Sequence, residues 1–293
     1  MVRTVIRPPS AGRVLQVLSR RAVLLGGLAS PLAQAERRLA GRAGFEVTQR
    51  ELRLTSLDAA HDGLRVAQLS DLHLGWGVPP ARVLAAIRAV NALQPDLVVL
   101  TGDFITTRRD PVSLVPEVLG HLERPPVAVL GNHDHWTYPA ELTLALERLG
   151  IPVLRNQVTT LRLKAADFSV IGVDDSTTRH DDVGAAFQGA PRGSRLVLTH
   201  TPACAGRLPE GQDLPCFSGH THGGQVVIPG LTDGLFKAFG QPWYRGAYQV
   251  RGNQLYVNRG LGFGRGTPYP RANSEPEVTL FTLRHRPLDA EPV

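Results

Sequence analysis

Five short polar clusters, each preceded by an apolar run typical of a buried β-strand, constrain this chain most strongly. They read SDLH (70–73), TGD (101–103), GNHD (131–134), LTH (198–200) and SGHTH (218–222). In an open α/β sheet, ligand sites lie beyond the carboxyl ends of the strands. Five strands that end in Asp, Asn and His at one edge would therefore build a single cluster of oxygen and imidazole donors.

The segments around these clusters alternate between strand and helix patterns. Helices are predicted at 80–93, 112–122 and 139–149, and strands at 63–70, 95–103 and 126–132. Further strands are predicted at 194–200, 213–220 and 276–285, with hairpins at 159–175 and 246–260. This order indicates an α/β fold in which the first strands are parallel. Two sheets packed face to face and flanked by helices would accommodate all of these elements.

The donor types restrict the kind of metal site. No cysteine lies in any of the five clusters, so a structural thiolate zinc site is disfavoured. Carboxylate, amide and imidazole donors suit Mn²⁺, iron or Zn²⁺ at a catalytic centre. In Asp71-x-His73 and His220-x-His222, an extended backbone would point both side chains of each pair to the same edge. A glycine that would allow close backbone approach precedes three donors. These glycines are Gly102, Gly131 and Gly219.

The ordered set DLH, GD, GNHD, H and GHTH resembles the sequence blocks of the calcineurin-like metallophosphoesterases. The segments GHTHGGQ (219–225), LYVNRGLG (255–262) and EPEVTLFTL (275–283) are similar to the exported YkuE-type phosphodiesterase branch. That branch is related to UDP-2,3-diacylglucosamine pyrophosphohydrolases. The resemblance covers about residues 46–285. It implies a calcineurin-like four-layer α/β/β/α sandwich with the metal site at the carboxyl ends of the strands.

The resemblance also implies two divalent metal ions (Mn, Fe or Zn) and assigns their ligands. One ion would be bound by Asp71, His73 and His222, the other by Asn132, His200 and His220, and Asp103 would bridge the two. In such two-metal hydrolases the nucleophile is a hydroxide that bridges the ions, so no serine or cysteine nucleophile is required.

Two further residues receive catalytic roles from the same resemblance. His133 would contact the phosphate and protonate the leaving oxygen. Asp134 would orient His133 by accepting a hydrogen bond from it. Thr106 stands where relatives often carry an acidic residue, and it is not a ligand.

The implied function is metal-dependent hydrolysis of a phosphodiester or pyrophosphate bond in a phosphorylated small-molecule or lipid-like substrate. Phosphomonoesterase or protein phosphatase activity on the same site remains an alternative, as does a non-catalytic metal-dependent binding protein. A nuclease is not favoured. Of 32 Lys and Arg against 26 Asp and Glu, five arginines and no acid lie in residues 1–35, so the remainder carries a net charge of +1. A nearly neutral chain lacks the basic surface that nucleic acid requires, so no nucleic-acid partner is expected.

The N-terminal basic segment resembles an export signal. In SRRAVLLGGLASPLAQA (19–35), paired arginines precede a short apolar stretch that ends in Ala33-Gln34-Ala35. We expect a twin-arginine-type signal peptide at 1–35, recognised by the export machinery, and a metallophosphoesterase domain at 36–293. The protein would then lie in the periplasm or at the outer face of the cell envelope. An ordinary N-terminal helix and an uncleaved anchor remain alternatives.

Several residues outside the five clusters could contribute to the site or serve only packing. Arg245, Arg259 and Arg271 could hold a phosphate, or could be ordinary surface arginines. Trp76, Trp136 and Tyr138 could line the mouth of the cleft. Cys204 and Cys216 are interpreted as small buried apolar residues.

The segment 229–246 combines Leu235, Phe236 and Phe239 with Lys237. We hypothesise that it forms a flap that touches a lipid-like substrate or a membrane surface.

Overall fold

The computed structural model describes residues 44–75, 78–263 and 271–287. The signal peptide predicted at 1–35 and the cleft residue Trp76 lie outside the described residues. The strands are β1 (Glu46–Leu54), β2 (Leu64–Leu69), β3 (Leu97–Thr101), β4 (Pro126–Val129), β5 (Gln157–Leu163), β6 (Ala166–Gly172), β7 (Arg195–Leu198), β8 (Pro215–Ser218), β9 (Gly246–Val250), β10 (Asn253–Val257) and β11 (Glu277–His285). The helices are α1 (Pro80–Leu93), α2 (Leu114–Leu119), α3 (Asn132–Trp136), α4 (Pro139–Arg148), α5 (Val183–Phe187) and α6 (Thr232–Ala238).

The strands form two mixed sheets. The first has the order β1-β11-β2-β3-β4, and in it β2, β3 and β4 are parallel, as the sequence predicts. The second has the order β5-β6-β7-β8-β10-β9, and β6, β7 and β8 are parallel within it. Parallel strands of a sheet have their carboxyl ends at one edge, so each sheet brings the chain segments that follow its parallel strands together.

Apolar side chains along the strands point alternately to the two faces of each sheet, so each sheet packs against a second layer on both faces. Val66 and Val99 face a core between the two sheets, where they meet Phe168 and Phe217 of the second sheet. Neighbouring strand residues such as Val98 face the opposite way and pack under α1, α2 and α4. A third core lies under α5 and the turn at 202–207 on the outer face of the second sheet. The expected four-layer α/β/β/α sandwich is confirmed.

Cys204 and Cys216 are buried in that third core and are not bonded to each other. Burial raises the pKa of Cys204 to about 11 and also raises that of Cys216. Both thiols therefore pack as small apolar groups, in agreement with the interpretation from the sequence.

Three local features differ from the sequence-based expectations. The helix expected at 112–122 is limited to α2, Leu114–Leu119. It begins two residues before Pro116 because proline is tolerated only in the first turn, and it ends before Gly120. The turn of the hairpin predicted at 246–260 is Arg251-Gly252, both with positive φ, whereas its sequence suggested Gly252-Asn253 as the turn. Strand β1 was not predicted, because its sequence EVTQRELRL is polar and largely exposed at the edge of the sheet.

Phe281 provides a test of the core between the sheets. It is fully buried, stacks on Phe217 at 4.0 Å between ring centroids, and meets Tyr256 edge-on at 5.0 Å. We expect Phe281→Ala to lower the free energy of unfolding by about 3–5 kcal/mol, because it removes a large side chain and leaves a cavity. Urea denaturation of the full chain measures this change.

Thr282→Ala, at the adjacent and partly exposed position, is the matched control. Its effect should stay within about 0.5 kcal/mol, as is usual at such sites. Equal destabilisation by the two variants would contradict the role assigned to Phe281.

Candidate metal centre

All seven predicted metal ligands lie just beyond strand ends at one rim of the two sheets. Those of the first sheet follow β2, β3 and β4, and those of the second sheet follow β7 and β8. Six of them are buried or nearly so, and His220 is partly exposed. The structure brings them together in two groups that share one residue.

The first group consists of Asp71, His73, Asp103 and His222. His73 Nε2 lies 3.2 Å from His222 Nε2 and 3.5 Å from Asp103 Oδ2. His222 Nε2 lies 3.6 Å from Asp71 Oδ1. One ligand atom from each of the four residues lies within 4.8 Å of the other three.

The second group consists of Asn132, His200 and His220, again with Asp103. Asn132 Oδ1 lies 2.8 Å from His220 Nδ1 and 3.0 Å from His200 Nε2. His200 Nε2 is 3.3 Å from Asp103 Oδ2, the oxygen that also faces His73. With metal–ligand bonds of 2.0–2.2 Å, neighbouring ligand atoms are roughly 3–3.5 Å apart. The distances in both groups run from 2.8 to 3.6 Å, close to that spacing, and Asp103 lies between the groups.

The backbone at these donors differs from the extended conformation that the sequence suggested. Five of the seven donors have φ in the left-handed region. They are Asp71 (50°), His73 (47°), Asp103 (56°), His220 (72°) and His222 (51°). The extended arrangement expected within the Asp71 and His220 pairs is therefore wrong. Such φ values are uncommon for residues with a side chain and cluster at functional sites.

Two glycines allow the donor loops to approach each other, as predicted. A Cβ atom at Gly131 would lie 2.2 Å from Asp103 Oδ1, and one at Gly219 would lie 2.2 Å from Asp71 Oδ2. Any larger residue would displace these carboxylates, because real Cβ contacts do not occur at such distances. The glycines before the donors therefore make room for the ligand carboxylates.

Burial keeps most of the imidazoles in the form that binds metals. It lowers the pKa of His73 to about 3 and that of His220 to about 4, and it also lowers the pKa of His222. Imidazole must be neutral to bind a metal ion. These three side chains are therefore neutral at physiological pH, and no proton has to leave them before a cation binds.

The pKa values of Asp103 and His200 are set by their mutual attraction more than by burial, because the two side chains face each other. Burial opposes ionisation of both groups, but the charge of His200 and its hydrogen bond lower the pKa of Asp103. In the same way Asp103 raises the pKa of His200 well above its usual value. A buried carboxylate at this position is stable only beside positive charge, and a divalent cation satisfies that need. The donor set therefore fits divalent metal ions.

Asp134 does not orient His133, and the hydrogen bond expected between them is absent. The Asp134 carboxylate instead accepts hydrogen bonds from the backbone N–H groups of Asp103 (2.8 Å), Phe104 (2.8 Å) and Gly131 (2.9 Å). Asp134 lies in the first turn of α3 and is fully buried. Its side chain points to the backbone of the loops that follow β3 and β4, away from the His133 ring. It shapes the two loops that carry Asp103 and Asn132.

Thr106 contacts both His73 and His133. Its hydroxyl lies 2.9 Å from His73 Nδ1, and its carbonyl oxygen lies 2.8 Å from His133 Nδ1. The Thr106 carbonyl can only accept, so His133 Nδ1 carries hydrogen and Nε2 of that ring is directed elsewhere. A metal ion on Nε2 of His73 would leave the hydrogen of that ring on Nδ1, which would then donate to the Thr106 hydroxyl. Sequence reasoning noted the position of Thr106 but missed this role, because the only signal was its distance of three residues from Asp103.

The three candidate phosphate-binding arginines have different surroundings. Arg259 is paired with Glu277 at 3.1 Å and with Glu46 at 2.8 Å, so it is committed to structural ion pairs. Arg245 donates to a backbone carbonyl at 3.3 Å and lies over a tyrosine ring. Only Arg271 reaches the centre, with its guanidinium 3.1 Å from His222 Nδ1.

Of the two described aromatic candidates, Trp136 lies beside His133. The Trp136 ring is 5.2 Å from the His133 ring, and the side chain is 55% exposed. The Tyr138 hydroxyl donates to the carbonyl of Arg108 at 3.0 Å. Trp136 therefore borders the open side of the centre, whereas Tyr138 fixes a neighbouring loop.

Thr106→Val tests the positioning of His73. The substitution keeps the shape of the side chain and the backbone carbonyl but leaves His73 Nδ1–H without an acceptor. We expect roughly 10-fold weaker binding of one metal ion, the range typical of lost partners of metal-ligating histidines. Calorimetric titration of the metal-stripped full chain measures this affinity.

Thr106→Ser retains the hydroxyl and should restore the affinity. If Thr106→Val binds both ions as tightly as the parent chain, the hydroxyl does not support His73.

Comparison with known proteins agrees with this centre. Residues 64–224 match the family described as calcineurin-like phosphoesterase. The chain is 31% identical to the metallophosphoesterase YkuE of Bacillus subtilis, over 82% of this chain and 86% of the relative. It is 28% identical to the UDP-2,3-diacylglucosamine pyrophosphatase LpxG of Chlamydia trachomatis (83% and 90%). It is 30% identical to the phosphodiesterase YaeI of Escherichia coli (82% and 88%).

The match to the family spans all seven donors and His133, and more than half of the chain. The chain therefore belongs to the calcineurin-like phosphoesterase family, as a hydrolase of the branch that includes YkuE, LpxG and YaeI.

Proposed function

We propose that the protein hydrolyses a phosphodiester or pyrophosphate bond with two divalent metal ions. Asp71, His73 and His222 would hold one ion, Asn132, His200 and His220 the other, and Asp103 both. The observation that carries this proposal is the position of Asp103 Oδ2, which lies 3.5 Å from His73 Nε2 in one group and 3.3 Å from His200 Nε2 in the other.

The charge of the donor set favours an anionic substrate. When bound, the two ions polarise the phosphoryl oxygens and lower the pKa of water. Only Asp71 and Asp103 among the seven donors carry a negative charge, and Asn132 and the histidines are neutral ligands. Two dications held by two carboxylates leave a net positive centre, which attracts phosphate and stabilises the negative charge that develops during its hydrolysis.

His133 is the proposed proton donor to the leaving oxygen. Its Nδ1–H is held by the Thr106 carbonyl at 2.8 Å, so Nε2 is the nitrogen available to a substrate. Its ring lies 5.1 Å from that of His73, beside the first ligand group, and the residue is partly exposed. A proton delivered from Nε2 would neutralise the leaving oxygen as the bond to phosphorus breaks.

The proposed substrate class is a diester or pyrophosphate of a small-molecule or lipid-like compound. The names of two relatives support it, since LpxG is a UDP-2,3-diacylglucosamine pyrophosphatase and YaeI is a phosphodiesterase. The bond cleaved is set by the metals and His133, whereas the loops around them select the groups attached to phosphorus.

We also propose that the protein acts outside the cytoplasm, in the cell envelope. This proposal rests on the twin-arginine-type sequence at 19–35, which also implies contact with the export machinery. Within residues 44–75, 78–263 and 271–287, no helix is long and apolar enough to cross a membrane.

Metal-dependent diester hydrolysis tests the function directly. The full chain is stripped of metal and assayed with a chromogenic phosphodiester and with the matching monoester after separate addition of Mn²⁺, Fe²⁺, Zn²⁺ or Mg²⁺. We expect turnover of the diester to return with at least one ion. His133→Ala should lower kcat roughly 100-fold or more with both metals retained, because a general acid contributes about that much.

Two further variants and two possible outcomes separate the alternatives. Asp103→Asn should lose metal and activity together, whereas His121→Ala, at an exposed histidine outside the centre, should behave as the parent chain. Preferential hydrolysis of the monoester would contradict the proposed diester specificity. Two tightly bound ions without turnover of the diester or of UDP-2,3-diacylglucosamine would indicate a binding protein.

A further inference from the structure

The surface next to the last metal ligands is unusually apolar. Among the described residues, eight large apolar side chains are exposed, and five of these lie within 14 residues that begin shortly after His222. We call these five the apolar strip. They are Val226 (48% exposed), Ile228 (53%), Leu231 (49%), Leu235 (45%) and Phe239 (79%). Exposed apolar groups that cluster in this way mark interaction sites.

Helix α6 presents part of the strip on one face. The N–H of Leu235 bonds to the carbonyl of Leu231 at 3.1 Å, and the N–H of Phe239 bonds to that of Leu235 at 3.0 Å. These three residues are spaced four apart and share the solvent face. Phe236, about 100° further around the helix, is partly buried and attaches α6 to the domain by stacking on Tyr244 at 4.5 Å. A surface helix of a soluble protein normally has polar residues on its outer face. Helix α6 therefore has an outer face suited to an apolar contact.

Exposed cations lie near Trp136 and on α6. Arg108 and Arg109 lie in the loop next to Trp136, and the guanidinium of Arg108 donates to the Trp136 carbonyl at 3.5 Å. Lys237 is exposed on α6. Within the part of the chain that the structure describes, none of these three cations forms an ion pair with an acidic side chain.

We propose that the apolar strip and Trp136 dock onto an anionic phospholipid bilayer, with the metal centre facing the headgroups. Apolar side chains would enter the boundary between headgroups and acyl chains, where tryptophan is also favoured. The three unpaired cations would meet headgroup phosphates. A second copy of the chain is a poorer partner, because a two-fold contact would bring the same cations of both copies together. The proposal extends the proposed function, since lipid-like substrates reside in such a bilayer.

A fluorescent label on the strip tests this contact. In full-length Phe239→Cys, an environment-sensitive probe is attached to the new thiol; Cys204 and Cys216 are buried and have raised pKa values, so they stay unlabelled. Vesicles of phosphatidylcholine with phosphatidylglycerol should shift the emission of the probe to shorter wavelength. Because the probe reports only its own surroundings, a membrane contact made elsewhere in the chain does not produce this shift.

Gln212→Cys is the matched control. Gln212 is exposed and precedes β8, at the end of the strand opposite to the metal ligands, so its probe should not shift. Adding Lys237→Gln to the labelled protein should weaken partition onto anionic vesicles roughly fivefold and leave pure phosphatidylcholine vesicles unaffected, the effect of one basic residue near a membrane.

Several outcomes would overturn the docking proposal. They are an unchanged spectrum at position 239, equal shifts at positions 239 and 212, and a shift that depends on protein concentration without vesicles. The last of these would indicate a second copy of the chain. Diester hydrolysis by the same labelled protein is measured separately. An emission shift without hydrolysis would contradict the proposed function and leave the docking proposal intact.

Discussion

The buried carboxylate of Asp134 holds together the two loops on which the metal centre depends. It accepts hydrogen bonds from the backbone N–H groups of Asp103 and Phe104, in the loop after β3, and of Gly131, in the loop after β4. An unpaired buried N–H would destabilise the fold by about 1–3 kcal/mol, so three such bonds fix the path of the chain. That path places Asp103, in the left-handed conformation, between the two donor groups. Burial and the charge of Asp103 raise the pKa of Asp134 to about 8, whereas its hydrogen bonds and a cationic centre favour the ionised carboxylate.

The candidate donors are largely buried and carry little negative charge. Their burial is possible because they lie where the rims of two sheets meet. A rim supplied by one sheet would expose its ligands on one side. Here the first sheet contributes Asp71, Asp103 and Asn132, and the second contributes His200 and His220 from across the interface. The core between the sheets fixes their separation, because it is filled by large side chains such as Phe217 and Phe281, which stack at 4.0 Å. The packing of the two sheets and the geometry of the metal centre therefore depend on each other.

The sequence predicted the parts of this protein that depend on local pattern. Strand ends and α1 follow from apolar periodicity, and the meeting of the polar clusters follows because parallel strands end at one edge, whereas the assignment of seven donors within those clusters came from the family resemblance. Contacts through space were not predictable in this way. Asp134 reaches backbone amides about 30 positions earlier in the chain, and Thr106 forms hydrogen bonds with His73 and His133, which lie 33 and 27 positions away. The left-handed backbone at five donors was missed because apolar periodicity carries no information about φ beyond the end of a strand.

The apolar strip is physically continuous with the metal centre. Ser274 donates to the carbonyl of His222 at 2.7 Å, and the backbone of Val226 pairs with that of Ala272. The ring of Tyr244, on which Phe236 of α6 stacks, would lie 3.3 Å from a Cβ atom at Gly224, two residues after the same ligand. The loop that carries His222 and the surface helix α6 therefore share packing and hydrogen-bond contacts. Any surface that captured the helix would therefore meet the metal centre at a fixed distance, which suits a substrate held in that surface better than one arriving from bulk water.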